Sequence, residues 1–205
     1  MMHGERRIII GGVIALMIIP AAMFFLHREK APVVDTNATS AIPVPGAPGA
    51  VHAHVAFVVN ILGVQQNFTD PDKYMLQSKR AHFEDGNPVI LHKHTTGVTI
   101  PFFLSTLKIF LNKDCIDFEE RDPPVKYCTN ATNTLRMIVN GGEIPDPEVY
   151  EVQNNDRILV TYGPESGAHL KLIFNQVPHV SDFKELTTGE AEPNAIPDKG
   201  VSPTP

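Results

Sequence analysis

The sequence predicts an α+β domain: a small, mostly antiparallel sheet with one main helix laid across it, preceded by a single transmembrane helix. Three observations carry this expectation. Residues 51–61, "VHAHVAFVVNI", alternate with the period of a strand. Residues 99–111, "TIPFFLSTLKIFL", place apolar side chains at 100, 103, 104, 107 and 111, a helical spacing. An uncharged apolar run over residues 8–26 is long enough to cross a bilayer core.

The apolar run leads straight from Phe24, Phe25 and Leu26 into His27, Arg28 and Lys30, with no small-x-small cleavage pattern, so it reads as an uncleaved anchor rather than a removed signal. Two basic residues flank it on each side, which leaves its orientation to be decided by other features. Residues 1–7 are then a short cytoplasmic N-terminus. Residues 27–50, rich in Pro, Ala and Gly and without hydrophobic periodicity, form a tether. The folded unit spans 51–182, and residues 183–205 have the composition of a disordered tail.

Within the folded unit, residues 51–61 put Val51, Ala53, Val55, Phe57, Val59 and Ile61 on a core face and His52, His54, Ala56, Val58 and Asn60 on the other. Leu62-Gly63 marks a turn, and Asp70-Pro71-Asp72 a second turn or a short helical start. "RAHFED" and "NPVILHKH" are short strands separated by Asp85-Gly86-Asn87. The helix from Thr99 has that residue as N-cap and tolerates Pro101 in its first turn. "LRMIVNGGEI" and "DRILVTYG" read as two further strands, and "ESGAHLKLIFNQV" as a last helix weakened by Gly167. The second half has the look of a β-grasp, by analogy alone.

The formal net charge of -6, with no basic run beyond Arg6-Arg7, excludes a nucleic-acid surface. The two cysteines, Cys115 and Cys128, bracket two extended stretches joined by Asp122-Pro123-Pro124, a turn that brings them together. In an exported domain such a pair oxidises to a structural disulfide, which in the chain-entropy model contributes about 3 kcal/mol. The competing reading is a pair of reduced thiols in a cytosolic domain. Three sequons, at Asn37, Asn67 and Asn130, are candidate glycosylation sites and point the same way as the cysteines, to an extracytoplasmic domain.

The histidines carry the chemistry. His52 and His54 share one face of their strand, and so do His92 and His94; with Phe83 inward, His82 falls on the corresponding face of the strand between. If those strands are neighbours, five imidazoles converge as candidate ligands for Cu or Zn. Solvated surface histidines and a pH-responsive surface are the competing readings. His169 and His179 have no partner at ligand spacing and read as ordinary surface residues.

"HAHVAFVVNILG", "HFEDGNPVILHKHTTGVTIPFFLSTL", the cysteine pair, "LRMIVNGGEI" and "DRILVTYG" together resemble a family of small, membrane-anchored, extracytoplasmic archaeal proteins over residues 51–163. The resemblance implies a His-containing exported domain with a disulfide. It implies no activity, although members are sometimes labelled disulfide isomerases by association. Relatives often carry an acidic residue inside the first His pair, where this chain has Ala53.

Three function classes follow. The first is a membrane-tethered metal-binding module, copper-handling or accessory to a membrane metalloenzyme. The second is a structural or binding domain at the cell surface. The third, a thiol-disulfide enzyme, is disfavoured because the cysteines are far from the Cys-x-x-Cys spacing. No Gly-x-Ser-x-Gly or comparable nucleophile motif supports a hydrolase, and no catalytic residues are assigned. Protease added to intact cells is expected to remove everything beyond the anchor; a fully protected domain would contradict the extracytoplasmic placement.

Overall fold

The computed structural model describes residues 41–183. The expected membrane helix at 8–26, its N-terminal flank, most of the tether, the Asn37 sequon and the tail from 184 lie outside the described residues. Among the described residues no helix is long and apolar enough to cross a membrane.

β1 (Ala53–Ile61) is the organising strand. Leu62 and Gly63, both with positive φ, turn the chain into β2 (Val64–Gln65), which pairs antiparallel with the end of β1. α1 (Pro71–Tyr74) starts at Asp70, whose carboxylate accepts from the backbone N–H of Asp72 and Lys73. β3 (Ala81–His82) pairs antiparallel with β4 (Ile90–Lys93), and β4 pairs antiparallel with the first half of β1. On the other side of β1 lies β10 (Arg157–Gly163), parallel to it, then β8 (Thr134–Val139) and β9 (Gly142–Ile144). The order is β3-β4-β1-β10-β8-β9, in which β1 and β10 pair parallel and the other neighbours antiparallel.

Both faces of this sheet are covered. On one, Val55, Phe57 and Val59 pack with Ile100, Phe103 and Leu104 of α2 (Ile100–Thr106) and with residues of a three-stranded second sheet, β5 (Ile109–Leu111), β6 (Cys115–Phe118) and β7 (Val125–Cys128). Phe103 meets Phe57 and Phe83 edge-on, with ring centroids 5.7 and 4.9 Å apart, so each ring adds directional contact to the roughly 1.5–3 kcal/mol its burial supplies. On the other face, Ala56, Val58, Ile90, Ile138 and Leu159 lie under Ile173 and Phe174 of α3 (Gly167–Phe174) and Val177.

Several sequence expectations change here. α2 begins at Thr99, whose hydroxyl accepts from Phe102 N–H, but it does not run to Leu111. Lys108 adopts a left-handed conformation and the chain leaves as β5. Leu107, Ile109 and Leu111 alternate, whereas only Leu107 and Leu111 fit the helical stripe, and the β-branched Ile109 beside Phe110 favours the strand. "LRMIVNGGEI" is not one strand but the β8–β9 hairpin, because Asn140-Gly141 supplies the two positive-φ residues of a tight turn. The last helix expected within "ESGAHLKLIFNQV" is present as α3, and it closes the face opposite α2. That face of β1 is therefore buried at Ala56 and Val58. The end of the Pro/Ala-rich segment hydrogen-bonds to the domain, Gly46 N–H to Thr96 O at 3.1 Å and Gly49 N–H to His94 O at 2.7 Å.

Cys115 and Cys128 are direct cross-strand partners on β6 and β7 and form a disulfide, closing the stretch that contains Asp122-Pro123-Pro124. Asn67 and Asn130 are exposed, but the Asn130 amide donates to Tyr162 OH at 2.9 Å. Replacing both cysteines by serine is expected to lower unfolding free energy by about 2–4 kcal/mol in urea titrations. An unchanged midpoint would show that the β6–β7 ribbon holds without its cross-link.

Candidate metal centre

Strand pairing brings the histidines together. His82 faces His92 across β3–β4, and His92 faces His54 across β4–β1. Directly opposed residues of antiparallel strands place their Cβ atoms about 4.5–5.5 Å apart, so the three rings form a row on one face of the sheet. His52 and His94, two residues further along their own chains, extend it. Ring centroids are 4.6 Å apart for His54 and His92, 5.0 Å for His52 and His94, and 4.9 Å for His82 and His94. His169 and His179 are exposed and outside the cluster.

These rings are not surface decoration. His82 and His92 are fully buried and His94 is 3% exposed, while His54 is half-buried and His52 exposed. Alternation places the five side chains on a common face; their burial comes from the loops and segments packed around that end of the sheet.

Glu84 explains how imidazoles persist there. It is 2% exposed and two residues beyond His82 on the same face. One carboxylate oxygen lies 3.1 Å from His82 Nε2, and the other 2.9 Å from His92 Nδ1. The second contact is close enough for electrostatic attraction but off the line of the ring N–H, so neither atom completes a hydrogen bond. Burial alone would raise the Glu84 pKa, but the two histidines outweigh it and hold the carboxyl well below the ordinary carboxylate range. His82 Nδ1 in turn sits 2.8 Å from Ser78 O. Both His82 nitrogens thus face oxygen atoms, and the ring buttresses Glu84.

The remaining nitrogens are free of that network. His92 Nε2 and His94 Nε2 are buried with no hydrogen-bond partner. A buried polar atom left unpaired is costly, and a ring nitrogen in that state has its lone pair available to a metal. His52, His54 and His92 each offer one nitrogen, all within 4.8 Å of one another. His52 Nε2 and His54 Nε2 are 3.0 Å apart. Two ligands bound at about 2.0–2.1 Å to one ion have nitrogens at about that separation, so replacing the shared proton by a metal leaves the pair nearly where it stands. A carboxylate behind the ligating ring, as Glu84 is behind His92, is the usual outer partner of a metal-bound histidine.

Lys93 shows why a lysine separates His92 and His94. Its side chain is buried on the opposite face, where Nζ donates to Glu151 Oε1 at 2.8 Å and Val152 O at 2.7 Å. Burial would raise the Glu151 pKa, but the lysine prevails and lowers it. The ion pair anchors β4 to the segment before β10 while its neighbours face the cluster.

Glu84 is the functional residue the sequence did not single out. Alternation puts it on the histidine face, but only the β3–β4 pairing shows that it reaches His92. Comparison with protein-family models, curated proteins and solved structures found no match.

Burial, and then the neighbouring histidines His82, His52 and His92, push the His94 pKa down from 6.5 to about 4. A depressed folded pKa means the neutral ring stabilises the fold above the unfolded value, and that contribution is lost as pH falls through the folded one. The metal-free protein is therefore expected to lose on the order of 2 kcal/mol between pH 6.5 and 4 from this residue. Urea midpoints across that range check this, with His94→Asn flattening the slope; a slope unchanged in the variant would contradict it.

Proposed function

We propose that this chain is a membrane-anchored, extracytoplasmic metal-binding module in which His52, His54 and His92 hold one divalent transition-metal ion, copper or zinc. The observation that carries the reading is the triad itself: three ring nitrogens mutually within 4.8 Å, from two adjacent strands. An all-imidazole set suits Cu(II), Zn(II) or Ni(II) and offers hard cations little. His94, buried beside the triad with an unpartnered nitrogen, is available as a fourth ligand. His82 and Glu84 orient the set from behind.

The disulfide supports an oxidising compartment, and the apolar run at 8–26 supports a tether to the membrane. The resemblance to anchored archaeal proteins points the same way. The sheet order, with the first and last strands parallel at the centre and a helix following the β1–β4 pairing, supports a β-grasp-like plan for the domain. A gradient from exposed His52 to buried His92 suits an ion exchanged at a surface, as an accessory to a membrane metalloenzyme requires. In this reading the chain carries no catalysis of its own, and the cross-strand cysteines serve structure rather than thiol exchange.

One observation favours a second reading: the buried His82–Glu84–His92 network can serve as polar core alone, fixing strand register without metal. Calorimetry of the full, metal-stripped chain in detergent separates the two. One Cu(II) or Zn(II) per chain is expected, lost in His52→Ala/His54→Ala and retained in His169→Ala/His179→Ala. Because ligation requires neutral rings and protons compete for them, binding is expected to weaken in acid. Equal binding by the His52→Ala/His54→Ala variant and the parent would remove the metal reading and leave the structural one.

A further inference from the structure

The face of β1 that carries the histidines holds a second polar group at its opposite end. Asn60 is the register partner of Thr161 on the parallel strand β10, and both point to the side of Ala56, Val58 and Leu159. Gly163 follows Thr161 on that face, and Glu165 folds back over it. A Cβ at Gly163 would collide with the Glu165 carboxylate, so glycine is what lets the carboxylate lie against the sheet.

The three side chains are buried: Asn60 is 4% exposed, Thr161 1% and Glu165 7%. Each has a buried oxygen without a hydrogen-bond partner, Asn60 Oδ1, Thr161 Oγ1 and Glu165 Oε2. No ion pair reaches Glu165 among the described residues. A buried carboxylate oxygen with no cation or donor is disfavoured, and here two further unpartnered oxygens belong to residues paired in register on the adjoining strands, with Gly163, which the carboxylate covers, two residues past Thr161.

We propose that Asn60, Thr161 and Glu165 form a second, oxygen-lined site for a hard divalent cation, calcium being the probe of choice. Amide, hydroxyl and carboxylate oxygens are the ligand types such ions take, in contrast to the nitrogen set of the histidine centre. With a single carboxylate the affinity belongs to the weak end of calcium sites, about 0.1–1 mM. The site is independent of the histidines: it shares strand β1 with them and no ligand.

The test is a calorimetric titration of the full, metal-stripped chain with Ca²⁺ to roughly 10 mM. One Ca²⁺ per chain is expected. Glu165→Gln, which keeps the shape of the side chain, should abolish it, and Gly163→Ala should do the same by displacing the carboxylate without removing a ligand. Zn²⁺ stoichiometry should be unchanged in Glu165→Gln, whichever way the histidine reading falls. No Ca²⁺ binding by parent chain that melts cooperatively, or equal binding by Glu165→Gln, overturns the proposal and leaves the three oxygens to ordered water.

Discussion

The antiparallel pairing of β4 with β1 is the constraint on which the rest of the site depends. It sets His54 opposite His92, and the β3–β4 pairing then sets His82 opposite His92 from the other side. A slip of one residue would turn one set of rings to the opposite face, because side chains alternate along a strand. Several features forbid that slip. Leu91 and Phe57 are committed to the larger core, Ile90 and Ala56 to the smaller, and Lys93 is held by Glu151 and Val152. Packing on two faces and one buried ion pair thus fix a register whose visible product is a row of imidazoles.

Glu84 converts that row from a liability into a stable arrangement. Burying three imidazoles is costly where their ring nitrogens lack hydrogen-bond partners. The carboxylate, held ionised by His82 and His92, lies against both rings, while the far nitrogens of His92 and His94 stay buried without a hydrogen-bond partner. The fold therefore hydrogen-bonds His82 fully and leaves His92 and His94 with unpartnered ring nitrogens, which is how a ligand site differs from a satisfied polar core.

Much of this was legible in the sequence, and the limits are physical. Alternation in "VHAHVAFVVNI" and "NPVILHKH" correctly assigns a common face to His52, His54, His92 and His94, because period two survives any tertiary context. Cys115 and Cys128 are legible for a similar reason: a Pro-containing turn between extended stretches makes them neighbours. The burial of His82, His92 and His94 was not legible, because burial depends on what packs over a face, and alternation carries no information about that. The β5 strand was hidden because Leu107 and Leu111, four residues apart, also continue the helical stripe of α2. The β8–β9 hairpin was missed for a different reason: "LRMIVNGGEI" as one strand passes over Asn140-Gly141, whose positive φ angles make the turn.

X-ray absorption at the metal edge tests the central claim most directly, on the chain loaded with one equivalent of Cu(II) or Zn(II). The triad predicts a first shell dominated by nitrogen at about 2.0–2.1 Å, with the outer-shell scattering of three or four imidazole rings. A shell of oxygen alone without imidazole scattering, or a sulfur shell, would contradict it.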